Sequence, residues 1–192
     1  MKKTAKILTL AIIGTGTIGT ALAQDAAEAP PPPPPPPPPA CETMEGFADW
    51  DFWVGDWNVY SNDETRTFAG TNSITKHYNN CLVKETWVGA GGSGGFSVNY
   101  FNPVKDEWRQ VWVANGYSID YTGGLNEDGA MVLEGEIYGY NAGNTTPFRG
   151  TWSQFENGDV RQFFEIHNTE GEWTTWFDGR YVRQETDPNP PA

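Results

Sequence analysis

The chain is poor in cysteine, histidine and basic residues, and each shortage excludes a class of function. Two Cys and two His among 192 residues are too few for a Cys-rich zinc site or an iron–sulfur cluster. Twelve Lys and Arg stand against 25 Asp and Glu, which gives a formal net charge of −13. Nucleic acids and anionic membrane surfaces are bound by clustered basic side chains. We therefore expect no nucleic-acid partner, no metal site and no cofactor.

The sequence also lacks an apolar run long enough for a membrane-spanning helix, which needs about 20 residues. The run from Ile7 to Ile18 is shorter and contains two Gly residues. Three Lys residues precede this run, and Ala21-Leu22-Ala23 follows it, a pattern typical of a signal peptide and its cleavage site. We predict that residues 1–23 are a signal peptide. The protein would then be exported to the periplasm or the extracellular space, with no membrane span in its mature form.

Ten consecutive prolines, Pro30–Pro39, follow the predicted signal peptide. Proline fixes φ and has no N–H, so such a run forms a polyproline II helix rather than part of a packed domain. We predict that residues 24–40 are a disordered Ala/Pro-rich linker. A docking site for a proline-binding partner is the alternative interpretation. At the other terminus, residues 185–192 are predicted to be a disordered tail.

The folded domain is expected to lie within residues 41–184. All of the nine Trp, eight Tyr and ten Phe residues occur between Phe47 and Tyr181. In an oxidising compartment an even number of cysteines indicates a disulfide, so we predict a bond between Cys41 and Cys81. A catalytic thiol is the alternative, but no nearby base or low-pKa environment is evident for it.

The domain has almost no helical periodicity and instead contains short runs rich in β-branched and aromatic residues. Turn residues such as Asn157-Gly158-Asp159 separate the runs, as in β-hairpins. We predict an all-β fold, an antiparallel up-and-down barrel of about ten strands, because closure leaves no unpaired edges. A two-sheet sandwich is the alternative. The predicted strands are 51–60, 65–77, 82–89, 95–102, 107–114, 117–122, 130–140, 147–156, 159–168 and 172–184.

Amide side chains alternate with aromatic residues on two of these strands. Gln110 shares one strand face with Trp108 and Trp112, and Gln162 shares one with Phe164. A buried amide needs hydrogen-bond partners, which favours a cavity with a few polar groups over a filled core. In the alternative, these amides point to solvent. The candidate ligand-binding residues are Glu85, Asn99, Tyr100, Trp108, Gln110, Trp112 and Gln162.

Catalytic motifs are absent from the sequence. It has no G-x-S-x-G elbow and no H-E-x-x-H pair, so we assign no catalytic residues. Carboxylates near aromatic residues, such as Glu85 and Glu165 or the pair Glu134 and Glu136, leave glycoside chemistry as an alternative. His167 is a candidate haem ligand, although an isolated histidine is more often hydrogen-bonded or solvated.

Gly55-Asp56-Trp57 at the first strand resembles the G-x-W signature of lipocalin-like (calycin) barrels. The resemblance implies that Trp57 packs across the closed end and that a late arginine lies over it. Arg180 and Arg183 are the candidates, and because they fall on opposite strand faces only one can serve. A wider set of segments, covering about residues 47–184, resembles a bacterial exported family of unknown function and implies no activity. These segments are 51–57, 81–87, 97–100, 108–113 and 177–181.

Together these patterns indicate an exported, monomeric protein that binds a small lipophilic or aromatic molecule, and they favour binding over catalysis. A carbohydrate-active enzyme or a glycan-binding module is one alternative. A structural envelope protein displayed on its proline-rich segment is another.

Overall fold

The barrel is seen in a computed structural model that describes residues 41–44 and 46–191. The predicted signal peptide and Ala/Pro-rich linker lie outside the described residues. Ten antiparallel strands form one closed barrel, in which each strand pairs with its neighbours in sequence and β1 pairs with β10. The predicted all-β, up-and-down barrel is therefore confirmed, and the alternative of a two-sheet sandwich is wrong.

Each of the ten predicted strands overlaps a strand of the structure, with bounds that differ by three residues or fewer except at the start of the first. The segment Asp51–Trp53, predicted as strand, is instead a 3-10 helix. The correction has a physical reason: the helical turn carries Trp53 into the barrel interior, where it is fully buried. The strand bounds are β1 Gly55–Ser61, β2 Phe68–His77, β3 Leu82–Gly89, β4 Gly94–Asn102, β5 Glu107–Ala114, β6 Tyr117–Leu125, β7 Met131–Gly139, β8 Asn144–Gln154, β9 Val160–His167 and β10 Trp173–Arg183.

Tryptophan side chains fill one end of the barrel. Trp50 lies 4.8 Å from Trp53 and 4.9 Å from Trp152 between ring centroids, and 6.2 Å from Trp108. All four are fully buried, as is Trp57. We call these five residues the Trp plug. Since edge-to-face and tilted aromatic contacts pack densely, this half of the barrel is a solid core.

A disulfide joins the segment that carries part of the Trp plug to the barrel wall. Cys41 and Cys81 are bonded, with their Cα atoms 5.1 Å apart, which confirms the predicted pair. Cys41 is buried, and Cys81 immediately precedes β3. The bond therefore holds the segment that precedes β1 against the end of the barrel that Trp50 and Trp53 fill.

Beyond β10 the chain stays in contact with the barrel. Residues 185–192 are predicted to be a disordered tail, whereas Gln184–Thr186 form a 3-10 helix in the structure. Asp187 then accepts hydrogen bonds from Asn58 Nδ2 at 2.8 Å and from the Tyr60 hydroxyl at 2.6 Å. Among the described residues there is no helix with the length and apolar character needed to cross a membrane.

Candidate ligand-binding cavity

The half of the barrel next to the Trp plug is hollow. It contains a cavity of about 200 Å³ formed by side chains from β3, β5, β6, β9 and β10. The lining residues with polar groups are Glu85, Gln110, Tyr117, Tyr121, Gln162 and Tyr181. The apolar lining, which includes the indole rings, is formed by Trp87, Trp112, Ile119, Phe164, Trp176 and Phe177.

Tyr121 and Tyr181 form the floor of the cavity. Both side chains are buried and rest on the Trp plug: the Tyr121 ring lies 6.1 Å from Trp152, and the Tyr181 ring lies 6.1 Å from Trp57. Trp176 is 43% exposed, so it marks the mouth. The cavity therefore opens at one end of the barrel and is closed below by the plug.

A β-bulge in β10 brings two consecutive residues to the cavity. Thr175 pairs with Glu165 and Phe177 pairs with Phe164, which leaves Trp176 as an extra residue without a cross-strand partner. Trp176 and Phe177 both line the cavity, although neighbouring residues of a regular strand point to opposite faces. Strict alternation could not predict this pair, and neither was among the sequence candidates.

A hydrogen-bonded chain of buried side chains crosses the cavity wall from β6 to β4. The Tyr121 hydroxyl donates to Gln110 Oε1, and Gln110 Nε2 donates to Asn99 Oδ1. Asn99 Nδ2 in turn donates to Ser97 Oγ at 2.9 Å and to the Val83 carbonyl oxygen at 3.0 Å. These side chains meet because Gln110 is directly opposite both Asn99 and Tyr121 in the sheet.

The same series of side-chain hydrogen bonds continues through Glu85 to the other side of the barrel. Ser97 Oγ donates to Glu85 Oε2 at 2.8 Å, and Asn72 Nδ2 donates to Glu85 Oε1 at 2.7 Å. Asn72 Nδ2 also contacts the Tyr181 hydroxyl at 3.1 Å, and this hydroxyl donates to Gln162 Oε1 at 2.8 Å. We call these eight linked residues, from Tyr121 to Gln162, the polar network. It extends over seven of the ten strands.

One polar atom of the network, Asn72 Oδ1, is buried and has no hydrogen-bond partner within the described part of the chain. Gln162 accepts a hydrogen bond from Tyr181 at Oε1 and also lines the cavity, so its amide group lies beside the space that a bound molecule would occupy.

Glu85 is the ionisable centre of the network. Its side chain is buried, and burial raises the pKa of its carboxyl group from 4.5 to about 7, against the lowering effect of the hydrogen bonds from Asn72 and Ser97. Burial also raises the pKa of the phenols of Tyr121 and Tyr181 well above 10. At neutral pH both phenols are therefore protonated donors, while the protonated and the ionised forms of Glu85 are both populated.

Four of the seven ligand-binding candidates, Glu85, Gln110, Trp112 and Gln162, line the cavity together. The other three lie elsewhere. Asn99 is fully buried behind the lining, where it links Gln110 to Ser97. Trp108 belongs to the Trp plug, and its Nε1 donates to the Gly46 carbonyl oxygen and to Asp49. Tyr100 lies opposite Arg109 on the outer face and is 37% exposed.

The two late arginines have different positions. The Arg183 guanidinium Cζ lies 4.3 Å from the centroid of the Trp57 ring, at the plugged end. Arg180 instead pairs with Asp159 at 2.6 Å and lies over Phe155. Arg183 is therefore the arginine that covers the G-x-W tryptophan.

The other groups considered for chemistry lie outside the cavity. Glu134 and Glu136 are exposed on β7, and Glu165 pairs with Arg149 at 2.8 Å. The His167 ring packs against Trp173 at 4.2 Å between centroids and does not line the cavity. Within the described residues, no three His, Cys, Asp or Glu side chains are grouped as metal ligands would be. Glu85 is the one carboxyl group among the lining residues.

Comparison with protein-family models gives no match for this chain, and no curated protein matches it either.

Proposed function

We propose that this protein is an exported binding protein whose barrel holds one small, partly apolar molecule in the aromatic cavity. The observation that carries the proposal is the contrast between the two halves of the barrel. One half is filled by Trp50, Trp53 and their neighbours, whereas the other is hollow and lined by the polar network. A protein that needed only stability would be better served by a filled core, since buried polar groups are costly unless paired.

The volume of the cavity limits the size of the ligand. A cavity of about 150 Å³ accommodates benzene, and the cavity here measures about 200 Å³. We therefore expect a molecule with a single ring, or an aliphatic group of similar size. Tetrapyrroles and two-chain lipids are too large. The aromatic walls supply contact area, and the amide of Gln162 in the lining orients a polar group of the ligand.

Export is supported by two independent features. The predicted signal peptide precedes the domain, and the Cys41–Cys81 disulfide is the kind of bond that persists in an oxidising compartment. The resemblance to calycin barrels and to an exported bacterial family agrees with a binding role, since closed barrels commonly enclose small ligands.

A glycoside hydrolase is less well supported, because that chemistry uses two carboxyl groups that flank the scissile bond. Glu85 has no second carboxyl group beside it among the lining residues. We therefore favour binding without turnover.

The proposal is tested by ligand retention. The purified protein from the full chain would be incubated with single-ring aromatics, a tetrapyrrole and a two-chain phospholipid, and bound species would be read by native mass spectrometry and tryptophan fluorescence. We expect retention of single-ring molecules only. Failure of every compound to bind would overturn the proposal.

Two tryptophan variants on β10 locate the binding site. Trp176 lines the cavity mouth, whereas Trp173 packs outside it against His167. We expect Trp176→Ala to weaken binding at least tenfold and the matched control Trp173→Ala to leave it within twofold. Equal effects of the two variants would show that the ligand binds elsewhere.

A further inference from the structure

Within the part of the chain that the structure describes, Glu85 in the cavity wall has no positively charged partner. Both of its carboxyl oxygens accept hydrogen bonds, but the donors are the neutral side chains of Asn72 and Ser97. A buried carboxylate normally pairs with a cation, because hydrogen bonds from neutral groups compensate only part of the lost hydration. The site thus provides the hydrogen bonds of an ionised carboxylate and omits its counter-charge.

The arginines of the barrel are not available to supply that charge. Arg109, Arg149, Arg161 and Arg180 pair with acidic residues, and Arg183 covers Trp57 at the plugged end. No Lys, Arg or His is found among the lining residues. The titratable groups that face Glu85 are phenols: Tyr117 and Tyr121 on β6 and Tyr181 on β10. Each is uncharged at neutral pH, since the ordinary pKa of a phenol is 10 and burial raises it further.

The aromatic rings of the cavity wall are themselves suited to a cation. Trp87, Trp112, Tyr117 and Trp176 line the upper cavity, together with Phe164 and Phe177. The face of an aromatic ring carries partial negative charge and attracts ammonium groups, and cages of such rings recognise quaternary ammonium ligands. A neutral aromatic ligand would use these walls but would leave Glu85 without a counter-ion.

We propose that the ligand of this cavity is a small organic cation, an amine or a quaternary ammonium compound, with Glu85 as its counter-ion and the aromatic rings as its cage. This inference rests on the proposed binding function and specifies its ligand class. The ammonium group would lie beside the carboxylate.

Binding of such a cation is coupled to a proton. Burial gives the Glu85 carboxyl group a pKa of about 7, so below that pH the empty site is mainly neutral. The cation binds the carboxylate form, and the proton of Glu85 leaves to solvent as the ligand enters. By linkage, affinity rises with pH up to about 7 and is constant above it, which amounts to about a tenfold gain between pH 6 and pH 8.

Two pairs of isosteres test the charge requirement: choline against 3,3-dimethylbutan-1-ol, and benzylammonium against benzyl alcohol. Their dissociation constants would be measured by calorimetry with the full-chain protein at pH 6 and pH 8. We expect at least one cation to bind tenfold or more tightly than its neutral isostere, with the stated gain in affinity at pH 8.

The variant Glu85→Gln removes the charge and keeps the shape of the side chain. We expect it to weaken binding of the cation at least tenfold, to abolish the pH dependence and to leave binding of the neutral isostere unchanged. Glu127→Gln, on an exposed turn, changes the net charge equally and should behave as the unmodified protein. Unfolding curves of each variant would establish that the barrel is intact.

Neutral isosteres that bind as tightly as the cations, or a Glu85→Gln variant with unchanged cation affinity, would overturn this inference and leave the proposed binding function standing. Failure of all four probes would also overturn it, while the broader ligand screen would still decide whether the cavity binds anything.

Discussion

Arg183 covers Trp57 at the plugged end of the barrel, with its guanidinium Cζ 4.3 Å from the centroid of the indole ring. Arg183 Nη1 also donates to the Val54 carbonyl oxygen at 3.2 Å. Gly55 leaves room for this contact, because a Cβ atom there would lie 2.5 Å from Nη1. The φ of Gly55, +145°, is likewise one that other residues rarely adopt. The G-x-W signature and the late arginine thus form one structural unit.

We expect Arg183→Ala to lower the free energy of unfolding by about 1–2 kcal/mol, because a cation–π contact and a hydrogen bond are lost. Urea denaturation followed by tryptophan fluorescence would measure the change. Lys105→Ala is a suitable control, since it removes the same charge from a side chain that is 66% exposed. The unit has no energetic role if the two variants are equally stable.

Glu85 should make the stability of the barrel depend on pH. Its pKa is about 7 when folded and 4.5 when unfolded, so the unfolded chain releases this proton first. The contribution of Glu85 to the free energy of unfolding is fully present below pH 4.5, falls as the pH rises and is lost above pH 7. The full loss is about 3 kcal/mol. The variant Glu85→Gln cannot ionise at this position and should not show this loss. We therefore expect its stability relative to the unmodified protein to increase between pH 4.5 and pH 8. The free energy of unfolding of both proteins would be measured by denaturation at a series of pH values. If the two curves of this free energy against pH were parallel across this range, Glu85 would not be the group responsible.

Gln110 and Tyr121 should be energetically coupled. Gln110→Leu leaves Asn99 Oδ1 and the Tyr121 hydroxyl unpaired in the interior, at a cost of roughly 2–4 kcal/mol. Adding Tyr121→Phe removes one of the unpaired groups, so the double variant should be about 1 kcal/mol more stable than the sum of the single effects predicts. Replacing Tyr121→Phe by Tyr138→Phe, whose hydroxyl bonds Glu136 outside the barrel, should give additive effects. If the changes in unfolding free energy were additive in both of these double-mutant cycles, the polar network would not be cooperative.

The disulfide should stabilise the plugged end without affecting the cavity. We expect the double variant Cys41→Ser and Cys81→Ser to lose roughly 2–4 kcal/mol, since it frees a long loop in the unfolded chain. The bond joins residues 40 apart in sequence. Thermal unfolding in the presence and absence of a reductant would measure the loss, and only the unmodified protein should respond to the reductant. An unchanged melting temperature in the double variant would show that packing of the Trp plug is enough to fix the segment that precedes β1, without the disulfide.

The candidates chosen from the sequence include four of the twelve residues that line the cavity. Strand alternation indicated that Gln110 and Gln162 face inward, and both do. It failed at Trp176 and Phe177, because the bulge in β10 sets both beside the cavity. It also failed to separate Trp108 from Trp112: these residues share a strand face, yet one belongs to the plug and the other to the cavity.

The amino-acid sequence by itself determined the number of strands, their antiparallel order and the partner of each cysteine. These properties follow from short-range features: a period of two along each run, turn residues between runs and an even cysteine count. Only the tertiary structure decided that one half of the barrel is filled and the other hollow. That division depends on where Trp50 and Trp53 insert among strands distant in sequence. It also decided that Glu85 lies among neutral donors and aromatic rings while the arginines pair elsewhere, because the environment of a charge is set by the residues that the closed barrel brings together.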